Sequence, residues 1–188
     1  MAVVSCAFFQ RNLQANPYDL AMSKIDHKDL KEIGSVVKIS SEEVVQEIHE
    51  LVLILLEQPI ISEKNGRSVR SLSINQGEIV LFSTSGKNGA TVGNHASGGE
   101  LSSLVVIIEA KKSVLLRQCA SAHDPTIMTS ELHPNEVSII YPNQIHALRL
   151  PPESQVLIIK NKAWVEAKAD SFRELIPYNF DDGDLSSK

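Results

Sequence analysis

Three residues in the second half of the chain have the types and the spacing of a metal site. His95 and Glu100 lie five residues apart on either side of a glycine-rich turn, and His146 follows later in the chain. Two imidazoles and one carboxylate suit divalent metals such as Fe, Mn, Zn or Ni. Three protein ligands leave positions for water or a substrate. The sequence therefore predicts a divalent metal at His95, Glu100 and His146, with a small polar ligand beside it.

Short β-strands must position these residues. After Pro59 the chain divides into short segments rich in Val, Ile, Leu and Ser, separated by Gly, Asn and Pro turns. We expect strands at 68–74, 78–83, 90–92, 101–108, 113–119, 126–130, 137–141, 145–150 and 155–159, with a helix as the alternative at 113–119. Evenly spaced short strands favour an antiparallel barrel or sandwich over alternating strand–helix units.

The segments around the two histidines resemble the motifs of the cupin superfamily. His95 and Glu100 match the second histidine and the glutamate of the first cupin motif, and Pro142 and His146 match the proline and the histidine of the second. The resemblance covers about residues 67–160. It implies a small antiparallel jelly roll whose inner face holds one metal, in a superfamily that includes dioxygenases, isomerases, epimerases and binding proteins.

Three positions depart from the cupin pattern. Gly93 stands where the first histidine belongs, and Ile107 stands where the first motif closes with glycine. The interval from Pro142 to His146 is one residue short. His133, on a neighbouring turn, is the candidate replacement ligand. The resemblance therefore implies a metal site that lacks one of its usual four ligands.

A helix precedes the strands. Apolar residues recur at intervals of three and four over residues 40–57, which predicts an amphipathic helix. Ser40 and Glu43 have the spacing of a capping box at its start, and Pro59 ends it. Residues 26–33 predict a short helix, and the residues before it an extension that is poorly ordered or docked on the body.

Composition limits the class of protein. The chain has 188 residues, 43% hydrophobic and 22% charged, with a net charge of -5. A packed core is expected, whereas a general nucleic-acid surface is not, because such surfaces need clustered Lys and Arg. Cys6 and Cys119 make no disulfide framework or zinc motif. The apolar start of the chain is too short to span a bilayer, and we expect a soluble, cytoplasmic protein.

Two other functions remain open. Glu109 and Lys111, after an apolar strand, resemble the E-x-K element of PD-(D/E)xK nucleases, with Glu100 as the available partner acid. A non-catalytic binding or assembly subunit is the other alternative, because the apolar run 51–56 predicts either a helix end buried on several sides or a partner surface.

The predicted class is α+β, mainly β: an N-terminal helical segment followed by an antiparallel β-barrel or sandwich of the cupin-like, jelly-roll type. The predicted boundaries are 1–58 for the N-terminal extension and helices, 59–166 for the β domain and 167–188 for the tail. Residues 164–172 are predicted to form a short helix, and Trp164 is expected either to seal the barrel edge or to pack against the N-terminal helix. We expect a homodimer, because association closes exposed sheet edges.

Overall fold

The computed structural model describes residues 15–25, 27–64, 66–85, 89–96, 100–120 and 126–163. These residues form two antiparallel β-sheets, with helices packed against the larger one. The helical elements are α1 (Pro17–Lys24), a one-turn 3-10 helix (His27–Asp29) and α2 (Glu42–Leu56). The strands are β1 (Val36–Lys38), β2 (Ser62–Lys64), β3 (Arg67–Ile74), β4 (Gly77–Thr84), β5 (Ala90–Ala96), β6 (Ser103–Glu109), β7 (Val114–Cys119), β8 (Met128–Leu132), β9 (Glu136–Ile140), β10 (Ile145–Leu150) and β11 (Gln155–Lys160).

The two sheets form a sandwich. The larger has the strand order β1-β9-β6-β11-β4-β3-β2, and the smaller has the order β5-β10-β7-β8. Strands β2, β3 and β4 pair in sequence order, whereas other neighbours are far apart in the chain, as in the pairing of β11 with both β4 and β6. The predicted mainly β, antiparallel sandwich is confirmed, and it is not a closed barrel.

The larger sheet is covered on both faces. Along β4, Ile79 and Leu81 pack into a core shared with the helices, whereas Val80 and Phe82 belong to the core between the sheets. Because side chains alternate across a strand, a sheet covered on both faces needs apolar residues at every position. The uninterrupted apolar run 104–108 is therefore a central strand.

Most of the strand predictions are confirmed, with ends shifted by a few residues. Residues 114–119 form strand β7, so the helical alternative for that segment was wrong. The short strands β1 and β2 were missed, because three residues are too few to show alternation. β5 is longer than predicted and extends through His95 to Ala96.

The helix predictions need three corrections. Residues 17–24, within the predicted extension, form α1, with Asn16 as its N-cap and Pro17 at its first position. The predicted helix at 26–33 is reduced, in its described part, to the one-turn 3-10 helix. The cap of α2 is Ser41 rather than Ser40, and its hydroxyl accepts from the N–H of Val44 at 3.4 Å.

Several predictions fall outside the described residues, namely those for Cys6, the helix beginning at Trp164 and the tail 167–188. The three domain boundaries likewise stay predictions. Within the described ranges, no helix has the length and the apolar character needed to cross a bilayer.

Candidate functional site

A cavity of about 700 Å³ lies between the two sheets. Its walls are mostly apolar and come from both sheets: Val69, Val80, Phe82, Ile140 and Ile158 from the larger, and Val92 and Leu148 from the smaller. The polar side chains in its lining include His95, His146, Glu78, Lys160 and Arg67. A cavity of this size with apolar walls and a few convergent polar groups is typical of a small-molecule site.

His95 and His146 meet on one wall of this cavity. Strands β5 and β10 are antiparallel neighbours, and their register places the two histidines directly opposite each other. The ring centroids lie 4.6 Å apart, with the ring planes at 71° in an edge-to-face arrangement. The structure therefore brings together the two histidines that the sequence singled out.

A β-bulge directs His95 to the cavity. On β10, the consecutive residues His146 and Ala147 pair with His95 and Gly93 of β5, respectively. Asn94 lies between these two partners and is therefore the extra residue of the bulge. In a regular strand, His95 would lie on the opposite face from Val92, which lines the cavity. The extra residue reverses this alternation, and bulges often redirect side chains beside functional sites. Both His95 and Val92 consequently line the cavity.

Gly93 makes the bulge geometrically possible. Its φ is +85°, in the region that favours glycine. A Cβ at this position would lie 2.9 Å from the carbonyl oxygen of His146 and 3.2 Å from its ring carbon Cδ2. The residue at the position of the first cupin histidine is thus a glycine that lets the backbone approach His146 closely.

His146 is a neutral imidazole over the physiological pH range. Its pKa is lowered from 6.5 to about 3, mainly by burial, with smaller contributions from the neighbouring His95 and Lys160. Its Nδ1 lies 3.4 Å from the carbonyl oxygen of Gln144, which only accepts hydrogen bonds. The single proton of the neutral ring is therefore assigned to Nδ1, and Nε2 remains as an acceptor or a metal ligand.

A buried ion pair belongs to the same end of the cavity. Glu78 on β4 is the register partner of Lys160 on β11, and Lys160 Nζ donates to Glu78 Oε2 at 3.1 Å. The side chains are 9% and 12% exposed, respectively. Desolvation lowers the pKa of Lys160, while Glu78 partly offsets this effect. The pair supplies both a donor and an acceptor close to His146.

Arg67 provides a cation at the other end. Its guanidinium carbon lies 5.6 Å from the centroid of the Phe82 ring, and Nη1 donates to the carbonyl oxygen of Thr91 at 3.4 Å. Burial lowers the pKa of Arg67, but an arginine remains protonated at neutral pH. Arg67 on β3 is the register partner of Thr84 on β4. Thr84 is six residues from Glu78, which corresponds to about 20 Å along the strand.

Glu100 does not join the two histidines. Its side chain is 84% exposed, and its carboxylate accepts from Lys162 Nζ at 2.9 Å. Lys162 lowers the pKa of Glu100 by hydrogen bonding and by its charge. In the part of the chain that the structure describes, no group of three His, Cys, Asp or Glu residues is placed to hold a metal. The described residues thus do not supply three ligands to one metal centre, and metal binding stays a prediction.

The other sequence candidates lie at the surface. His133 is exposed on the turn between β8 and β9 and is not part of the cavity lining. Glu109 is exposed at the end of β6, and Lys111 forms an exposed ion pair with Glu153. With Glu100 also at the surface, the nuclease alternative finds no support in this arrangement.

Sequence reasoning missed Glu78, Lys160 and Arg67. Each is a charged residue at the end of a strand, in the segments GEIVLF, QVLIIK and RSV. Each lies two residues from an apolar residue on the same face of its strand, Val80, Ile158 and Val69, respectively. This spacing is visible in the sequence. Reading it requires knowing which face of each strand turns towards the smaller sheet.

Solved structures with a similar fold lie at low sequence identity. CapF bound to the inhibitor 3-isopropenyl-tropolone matches with a TM-score of 0.51 and 16% identity, over 61% of this chain and 33% of that chain. The capsular polysaccharide assembling protein CapF from Staphylococcus aureus matches with a TM-score of 0.50 and 17% identity, over 61% and 34%. A tryptophan-to-phenylalanine variant of oxalate decarboxylase from B. subtilis matches with a TM-score of 0.50 and 11% identity, over 63% and 30%.

The present chain spans about a third of the length of these neighbours. No protein-family model matches the sequence, and no curated protein matches it either. At such identities the likeness is one of fold alone. The two-sheet sandwich, the cavity between its sheets and these neighbours together identify the fold as a cupin jelly roll.

Proposed function

We propose that the protein binds a small, largely apolar organic molecule in the cavity between the two sheets. The observation that carries this proposal is the cavity itself, with apolar walls from both sheets and polar side chains at its two ends. Burial of the apolar part of a ligand against these walls contributes roughly 25 cal/mol for each Å² removed from water. The polar ends then fix its orientation.

His146 is the residue that we expect to select the polar group of the ligand. Its ring lines the cavity and is held neutral by burial. With the proton assigned to Nδ1, Nε2 accepts a hydrogen bond, so a ligand hydroxyl or N–H is favoured at this point. The Glu78–Lys160 pair offers further polar contacts at the same end.

A neutral fluorescent dye tests the proposal. N-phenyl-1-naphthylamine should bind at a ratio of about one per chain, since the cavity between the sheets has the size of a site for one drug-like molecule. Val80→Trp fills the cavity from the larger sheet and should abolish binding, whereas Leu53→Trp, at an exposed position of α2, should leave it intact. Leu148→Phe on the facing wall is a second filling variant if Val80→Trp does not fold. Unchanged binding in folded, cavity-filled variants would refute the proposal.

A divalent metal at the two histidines is the second candidate. The cupin resemblance implies one, and the support is that His95 and His146 face each other with Nε2 of His146 available. Metal analysis of the purified protein tests it. Stoichiometric metal that is lost in His95→Ala/His146→Ala but kept in Glu100→Ala would support a two-histidine centre. Equal metal content in wild type and in the double variant would refute it.

Self-association is the third candidate and concerns the surface rather than the cavity. Leu53, Leu56, Ile60 and Ile61 are exposed at the end of α2 and in the segment leading to β2, an edge strand of the larger sheet. Exposed apolar side chains beside an open sheet edge favour pairing with another chain. We propose a second copy of this chain as the partner.

A further inference from the structure

We infer that the ligand of the cavity is an elongated acid whose anionic group binds Arg67 and whose apolar body extends towards the two histidines. This inference rests on the proposed binding function and names the class of ligand. Four observations carry it: a buried donor of Arg67 without a hydrogen bond, the pairing of the lining carboxylate, the separation of the polar lining residues along β4 and the apolar wall between them.

Arg67 has hydrogen-bonding capacity left inside the protein. Its Nε is buried and makes no hydrogen bond in the structure. An arginine carries five N–H donors in a planar fork that matches a carboxylate. The guanidinium lies over Phe82, and both residues line the cavity. A carboxylate or similar anion bound by the guanidinium would offset the cost of burying this cation.

The charges of the lining favour an anion over a cation. Arg67 and Lys160 are cationic, and Glu78 is the one carboxylate among the described lining residues. Glu78 is engaged by Lys160 at 3.1 Å. The guanidinium of Arg67 lies over Phe82, four residues and about 13 Å along β4 from Glu78, so that carboxylate, already paired with Lys160, does not neutralise Arg67. A cation in low-dielectric surroundings favours an anionic partner.

The space between the two ends fits an apolar body. Val80 and Phe82 lie between the levels of Glu78 and Thr84 on β4, and Val92 and Leu148 face them from the smaller sheet. A ligand that fills this space needs an uncharged, apolar middle section. The class is therefore a monoanionic acid with an extended hydrocarbon or aromatic body, and not a compact polyanion.

The experiment compares an acid with its neutral counterpart of equal length. Octanoate and octanamide displace N-phenyl-1-naphthylamine in competition titrations of the full chain. We expect wild type to prefer octanoate by at least about tenfold, the size of effect given by about 1.4 kcal/mol. Arg67→Gln should remove that preference and leave octanamide binding unchanged. Arg149→Gln is the matched control, because Arg149 also bonds to Thr91 but does not line the cavity.

The outcomes separate the two proposals. Equal affinity for octanoate and octanamide in wild type, or a preference that persists in Arg67→Gln, would overturn the acid-binding inference and leave the cavity as a binding site. Failure of the dye and both competitors to bind would overturn the proposed function and with it this inference. A loss of preference in Arg149→Gln equal to that in Arg67→Gln would show that surface charge, and not the cavity, selects the acid.

Discussion

At the residue scale, Gly93 links the backbone of β5 to the position of the histidines. Its positive φ and the lack of a Cβ let β5 form the bulge and approach His146. The same bulge turns His95 towards the cavity. The meeting of the two imidazoles thus depends on a residue that carries no functional group.

Replacement of Gly93 by alanine should disturb both stability and the site. The left-handed backbone costs an alanine about 1–2 kcal/mol, and the contact of its Cβ with the carbonyl oxygen of His146 adds to that cost. We expect urea unfolding to show a loss of about 2 kcal/mol or more, with shifted NMR signals of both histidine rings. Gly66→Ala, at a similar φ of +74°, should lose stability without moving those signals. Unshifted histidine signals in Gly93→Ala would contradict the account of the bulge.

The depressed pKa of His146 predicts a loss of stability in acid. The folded-state pKa of about 3 lies below the ordinary value of 6.5, so the unfolded chain binds the proton more tightly. The contribution is fully present above about pH 6.5 and is lost as the pH falls towards 3, by about 1.4 kcal/mol per pH unit. His95 and Lys160, which face the ring, add to the effect because they disfavour a positive charge on His146.

This dependence is measured as the free energy of unfolding in urea between about pH 7 and about pH 5, with a chelator present to exclude metal binding. His146→Asn should have a flatter profile than wild type, while His133→Asn, at an exposed turn position, should follow wild type. Parallel profiles of wild type and His146→Asn would show that His146 is not the titrating group.

The Glu78–Lys160 pair should be sensitive to the loss of one partner. Glu78→Gln leaves the ammonium of Lys160 buried without this carboxylate, and such losses cost about 3–5 kcal/mol. The double variant Glu78→Gln/Lys160→Met removes the charge as well and should recover much of the stability in urea unfolding. Glu100→Gln breaks the exposed pair with Lys162 and should change stability little. A Glu78→Gln variant as stable as wild type would contradict burial of the pair.

At the element scale, the start of α2 distinguishes two adjacent serines. Ser41 has extended backbone angles and accepts from the N–H of Val44, whereas the sequence pattern selected Ser40. The spacing of a capping box is a local sequence pattern. Which of two adjacent serines becomes the N-cap depends on where the preceding segment turns into the helix. That segment is held by the bond from the N–H of Ile39 to the carbonyl oxygen of Asn135.

Alanine at the two serines provides a matched test. Ser41→Ala should lower the free energy of unfolding by about 1 kcal/mol, because an N–H at the helix start loses its acceptor. Ser40→Ala should have an effect close to zero, since Ser40 precedes the cap. The measurement is chemical denaturation of both variants under the same conditions. The reverse order of effects would return the cap to Ser40.

At the scale of the whole molecule, the larger sheet separates two cores. One face packs against the helices through residues such as Leu51 and Leu55, and the other packs against the smaller sheet and contains the cavity. For the apolar run 51–56 the sequence left open burial on several sides or a partner surface, and in the structure Leu53 and Leu56 are exposed. The sheet covers one face of α2 and leaves these side chains to solvent.

The exposed surface near β2 predicts self-association. Leu53 is 58% exposed and Ile61 is 61% exposed, and a homodimer would bury them. Sedimentation velocity over a range of concentrations should show a dimer that Leu53→Lys weakens. Gln46→Lys adds the same charge at another exposed position of α2 and should leave the association unchanged. A monomer at all concentrations would refute the homodimer.

The sequence by itself determined the class of fold and the pair of histidines. Strand and turn signals are local: they depend on β-branched residues, glycine and proline within a few positions. For that reason the segments from β3 to β11 were largely located correctly. The two cupin motifs brought His95 and His146 together because each motif sits on a strand and the strands pair.

Only the tertiary structure decided which charged residues enter the cavity. The partner of Glu100 is Lys162, and the partner of Glu78 is Lys160, each set by contacts between segments far apart in the chain. A bulge of one residue reverses the face that a side chain occupies, as it does for His95. Strand register and bulges are properties of pairing between distant segments, so local patterns did not place Glu78, Lys160 or Arg67 in the site.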